Sequence, residues 1–189
     1  MGTLDLSAGI APERVRPLRR EEYDRLVAMG LFAGERLELL HGNLVEMMPQ
    51  DPRHAAVTQR IDRALTIALG ENAIVRAQMP LALTADSEPE PDVAVVPPGD
   101  YDEEHPARAY LVVEVAGASL AKDRRVKGPL YAQAGIPEYW LVSLADRQIE
   151  VHADLAGGTY RRVTPYRPGE SIRLNAFPDV SIAVSDVLG

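Results

Sequence analysis

The chain has 189 residues, 46% hydrophobic and 25% charged, with no cysteine. That length supports one domain with a real core, and the missing cysteine excludes disulfides, thiolate metal sites and cysteine nucleophiles. The net charge of −8 counts against broad binding of duplex DNA, whose partners carry a basic footprint, so any such role rests on the local cluster Lys122, Arg124, Arg125 and Lys127. The four histidines (His41, His54, His105, His152) show no HxxxH or HxH spacing, which disfavours a histidine-based metal site. No apolar run approaches the roughly 18 residues of a membrane helix. Residues 1–15, with Asp5 and Glu13, do not read as a signal peptide; the expected address is the cytoplasm.

Residues 1–16 read as a flexible lead-in and 17–189 as one domain. A helix is expected over 18–29, with Tyr23, Leu26 and Val27 as its apolar side and Gly30 past its end. Residues 36–48 read as a hairpin, in which Leu37 and Leu39, then Leu44, Val45 and Met47, flank His41-Gly42-Asn43. The clearest helix is 53–69. Val57, Ile61, Leu65 and Ala68 recur at helical spacing, Arg60, Asp62 and Arg63 turn outward, and Gly70 ends it. Strands are expected at 74–83, 92–96 and 110–115, with an acidic loop over 100–105. Ser119 suits the N-cap of the next helical segment. Pro129 has no backbone N–H to donate, so it marks a kink or opens a shorter helix over 129–134. Residues 138–144 and 148–153 read as a hairpin about Ala145-Asp146-Arg147, and 160–163, 171–174 and 180–184 as further strands. The pattern is α+β, or α/β with a mixed sheet and helices on its faces.

Glu114 stands between Val113 and Val115 in an apolar strand. Burying a carboxylate unpaired costs several kcal/mol or raises its pKa by up to about 3–5 units. Asp92 opens the preceding apolar strand. If the two strands are neighbours, both carboxylates can share a divalent cation. Such a cation acidifies water and offsets phosphate charge, and Lys127 on the following segment can orient the water or stabilise the transition state. The residues thus point to a magnesium-dependent phosphodiesterase site. Blander uses stand beside each. Asp92 after Pro91 also suits turn capping. Asp123 and Lys127 also suit an exposed i,i+4 pair worth about 0.2–0.5 kcal/mol. Glu38, alternating with Leu37 and Leu39, also suits an outward strand position. His54 suits a helix-end contact, and Tyr131, Tyr139 and Trp140 suit packing. Glu88 and Glu90 read as loop charges, with Glu90 close enough in sequence to Asp92 to approach a metal.

One ordered set of motifs resembles a known family. It comprises Pro91-Asp92, Val113-Glu114-Val115, Asp123-x-x-x-Lys127, and Leu130-Tyr131-Ala132-x-x-Gly135-Ile136-Pro137-Glu138-Tyr139-Trp140-Leu141-Val142. Leu37-Glu38-Leu39, Gly42 and His54 match upstream. Together they resemble the Uma-type "putative restriction endonuclease" family of the PD-(D/E)xK nuclease superfamily, over about residues 18–184. The resemblance implies a restriction-endonuclease-like core: a mixed β-sheet flanked by helices, with additional antiparallel strands. It implies a metal-dependent endonuclease hydrolysing DNA phosphodiesters with Mg2+ or Mn2+. Asp92 and Glu114 would be metal ligands, Val115 would lend a backbone carbonyl, and Glu38 would sit on the upstream rim. The superfamily lysine two residues after the glutamate is replaced by Ala116, so Lys127 is expected to supply it from the next helix, with Asp123 as an orienting group. Ala116-Gly117-Ala118-Ser119 also departs from the usual Ser-Pro-Ser. A homodimer would suit cutting both strands. The acidic charge and Ala116 motivate one rival reading, an eroded nuclease scaffold used for binding or assembly; a small-nucleotide phosphohydrolase with the same metal chemistry is a further one.

Overall fold

The computed structural model describes residues 16–117 and 120–189. The expected lead-in up to residue 15 and the Ser119 cap lie outside the described residues. Helix α1 (Arg20–Ala28) opens on a capping box in which the Glu22 carboxylate accepts from the Arg19 N–H. Strands β1 (Leu37–Leu40) and β2 (Asn43–Glu46) form an antiparallel hairpin. Its turn is His41-Gly42, with φ of 49° and 75°, while Asn43 already pairs with Leu40 in the ladder. A side chain at residue 42 would also strike Pro17, 2.2 Å from the added carbon.

Helix α2 (Pro52–Leu69) starts where the Asp51 carboxylate accepts from the backbone of Arg53 and His54, each at 2.9 Å. Its buried stripe is Val57, Ile61, Leu65 and Leu69, with Thr58. The expected Ala68 is exposed, because the stripe continues in steps of four. Arg60 is not simply outward: its Nε donates to the Val187 carbonyl at 2.7 Å. Strand β3 (Ile74–Ala77) is shorter than expected. The chain leaves the extended region at Gln78 (φ 53°), whose N–H bonds the Asp92 carbonyl. Strands β4 (Val93–Val96) and β5 (Leu111–Ala116) are wholly buried.

The next helical run is α3 (Leu120–Lys122), a π turn (Asp123–Lys127) and α4 (Gly128–Gln133). The Gly128 N–H donates to the Asp123 carbonyl, five residues back. Pro129 follows at once, and lacking an N–H it cannot continue the four-residue ladder. The wider turn absorbs that break, so the run bends its register instead of stopping. Strands β6 (Tyr139–Ser143), β7 (Gln148–Ala156), β8 (Thr159–Tyr166), β9 (Ser171–Arg173) and β10 (Ser181–Ala183) follow, then helix α5 (Val184–Leu188) where the end of a strand was expected.

The central sheet runs β3-β4-β5-β6-β7-β8. Only β5 and β6 pair in parallel within it; the other neighbours are antiparallel. Side chains alternate between its faces. Leu111, Val113 and Val115 join Val57, Ile61, Leu65 and the α5 residues on one side. Val112 and Ala116 join Leu130, Tyr131, Tyr139 and Leu40 on the other. The architecture is the expected mixed sheet flanked by helices. Among the described residues no helix is long and apolar enough to cross a membrane.

Candidate active site

The register of β4 and β5 sets the geometry. Val93 pairs with Val113 and Ala94 with Val112. One further step places Asp92 across from Glu114, on the face shared with Ala94 and Val112. Asp92 Oδ2 accepts the Val115 N–H at 2.7 Å. The N–H and C=O of one strand residue face the same neighbour, so the Val115 carbonyl lies on the edge where Asp92 stands. Asp92 Oδ1 meets His54 Nε2 at 2.8 Å and accepts from Gln50 Nε2 at 3.1 Å. His54 is therefore both a helix-end residue, through its N–H to Asp51, and a neighbour of the paired carboxylates.

Glu114 is buried, and its Oε1 takes two donors: Lys127 Nζ at 2.9 Å and the Tyr131 hydroxyl at 2.5 Å. Lys127 is 3% exposed. Its second ion pair is with Glu38 Oε2 at 2.9 Å. Glu38, 1% exposed, also accepts from Lys122 Nζ at 3.1 Å and from the Glu90 N–H at 3.4 Å. The outward-facing reading of Glu38 and the solvated reading of Lys127 both fail, because the β1 strand packs its Glu38 face inward over the π turn's lysine. Asp123 is buried as well, and its charge acts on both Glu114 and His54. Glu90 contributes its N–H here, while its carboxylate pairs with Arg36 at 2.8 Å. Three of the four cations in the basic cluster are paired, since Lys122 and Lys127 bind Glu38 and Arg124 binds Glu150 at 2.6 Å, while Arg125 is exposed.

Burial, reinforced by the charges of Asp92, Asp123 and Glu38 and opposed by Lys127, pushes the Glu114 carboxyl up to about 8. Burial alone would lower Lys127, but Glu114 and then Glu38 more than offset it, and its pKa ends raised. His54 is likewise raised: burial opposes charging, and the Asp92 hydrogen bond and charge, then Asp51 and Asp123, outweigh it. Within the pair, burial works against charge on Glu114 while the two carboxylates hold Lys127 in its charged form.

Buried carboxylates Glu38, Asp92, Glu114 and Asp123 outnumber the one buried lysine. Among the described residues no three histidine or acidic side chains form a ready cage for a metal. A cation here would rest on the facing Asp92–Glu114 pair, the Val115 carbonyl and water. Both Asp92 oxygens accept hydrogen bonds, yet a carboxylate has about four lone-pair sites. A small set of hard oxygen donors completed by water suits Mg2+ or Mn2+. Two contributors escaped the sequence reading. Tyr131 lies four residues after Lys127, a spacing that puts both on one helix side; its phenol passed for packing. Gln50 carried no pattern that would have singled it out.

The Uma2 family, described as "Putative restriction endonuclease", matches residues 20–185. Among solved structures, a putative nuclease belonging to DUF820 from Anabaena variabilis ATCC 29413 is similar in fold, with a TM-score of 0.70 and 14% identity, covering 91% of this chain and 98% of that one. No curated protein matches the chain.

Proposed function

This chain belongs to the Uma2 family, and from that premise we propose that it is a metal-dependent endonuclease hydrolysing DNA phosphodiester bonds at the Asp92–Glu114 site. The observation that carries this reading is the pair of buried carboxylates Asp92 and Glu114, facing each other across β4 and β5. Bringing two buried carboxylates together is costly, and a divalent cation offsets it.

Asp92, Glu114 and the Val115 carbonyl would hold Mg2+ or Mn2+. Bound there, the ion supplies charge against the phosphate and acidifies water. The Val115 N–H, His54 and Gln50 orient the Asp92 carboxylate. Lys127, held by Glu38 and Glu114, keeps a fixed positive charge beside the site, the kind of preorganised charge that stabilises a phosphorane-like transition state. It stands in for the lysine absent at Ala116. In a homodimer, two such sites would address the two strands of a duplex.

Plasmid DNA incubated with Mg2+ or Mn2+ tests the reading. Cleavage by the native chain is expected, with loss of at least about 10²-fold in Asp92→Ala and Glu114→Ala. Full activity in both variants rules out this mechanism. Hydrolysis of nucleotides with plasmid left intact would move the substrate to small phosphoesters.

A further inference from the structure

We infer that Tyr131 is a positioning residue for the metal site: its hydroxyl, with Lys127, occupies Oε1 of Glu114 so that the carboxylate presents Oε2 to the cation. The inference rests on the proposed metal reading. It starts from a distribution of hydrogen bonds. Both donors to Glu114, Lys127 Nζ at 2.9 Å and Tyr131 Oη at 2.5 Å, converge on the same oxygen. The described residues place no hydrogen bond on Oε2.

A lone lysine would leave the carboxylate free to pivot about its ammonium, since an ammonium is a point charge with rotatable donors. A second donor from a different direction removes that freedom. Tyr131 is suited to this work because it cannot move. Its ring is fully buried and sits 5.3 Å from Tyr139, tilted at 48°. It projects from α4, directly after the π turn that carries Lys127. Gly128 between them is packed: a Cβ added there would sit at contact distance, 3.4 Å, from both the Asp123 carbonyl oxygen and the Tyr139 ring. The two donors to Glu114 are therefore carried on one continuous helical run. Outer partners that orient a ligand are typically worth about 10–100-fold in metal affinity.

Calorimetric titration with Mn2+ alone, no nucleic acid present, tests the assignment. The native chain is compared with Tyr131→Phe, which keeps the buried ring and deletes the hydroxyl. Tyr139→Phe is the control: it deletes a hydroxyl from the adjacent buried ring, one that donates to the Asp123 carbonyl at 3.3 Å. Tyr131→Phe should bind Mn2+ about 10–100-fold more weakly while Tyr139→Phe stays within about threefold of native. A merely structural role for the Tyr131 hydroxyl would weaken both variants alike, and that result overturns the inference. Unchanged Mn2+ affinity in Tyr131→Phe overturns it too, with the metal reading intact. No Mn2+ binding by the native chain overturns both. If Tyr131→Phe does not fold, Tyr131→His and Tyr131→Leu are titrated in its place: affinity kept with His, which can donate, but lost with Leu, which cannot, supports the inference, and equal affinities or the reverse order contradict it.

Discussion

Glu114 shows how one buried side chain can hold two incompatible demands. In the metal-free protein, burial favours its neutral form, and the carboxyl sits at about 8 instead of 4.5. A carboxyl whose folded pKa is raised contributes stability in full below its unfolded pKa and loses it as pH rises through the folded value. His54, also raised by Asp92, acts in the same direction from above its ordinary 6.5. Lys127 changes nothing in this window because its raised pKa lies above 10.5. Thermal melts in EDTA should therefore show stability falling between about pH 4.5 and 8 and levelling above that, by at most about 1.4 kcal/mol per pH unit from Glu114. Glu114→Gln, neutral throughout, should flatten the fall; an identical slope in that variant contradicts the assignment. Glu114 was legible in the sequence because an apolar strand offers a carboxylate few other uses. Glu38 was ambiguous for a physical reason: alternation in β1 says that Leu39 and Glu38 face opposite ways, but not that both faces become covered.

At the scale of elements, the site is assembled from termini. β4 begins at it, β5 ends at it, α2 starts beside it, and the π turn lies over it. Asp51 is the link between helix start and site, since its cap bonds hold the backbone of His54 whose ring meets Asp92. Asp51→Ala should lower the melting temperature and also weaken Mn2+ binding, because His54 loses its fixed position. Destabilisation with unchanged Mn2+ affinity, measured by calorimetry, would show that the cap serves the helix alone. Helix α2 could be read from periodicity, and strands β4 and β5 from short apolar runs bounded by turn residues. The π turn could not: no local pattern announces an extra residue in a turn, and Pro129 signalled only that the ladder must change. β3 ends at Gln78 because the backbone turns left-handed there, a conformation that the apolar run 74–83 does not reveal.

Across the whole molecule, the charge of −8 is arranged so that the cations nearest the site are already committed. Lys122 and Lys127 converge on Glu38, and Arg124 on Glu150. The sequence suggested a basic patch because spacing along a chain cannot show which carboxylates a fold brings from elsewhere. The pairing of β4 with β5, by contrast, was foreshadowed by two short apolar strands each carrying one acid. That pairing makes the central claim, a shared ion between two facing carboxylates, directly observable. Crystals soaked in Mn2+ and measured at the manganese absorption edge should show an anomalous peak bridging Asp92 and Glu114, close to the Val115 carbonyl. Clear electron density for both side chains with no anomalous signal between them, at saturating Mn2+, would contradict the account.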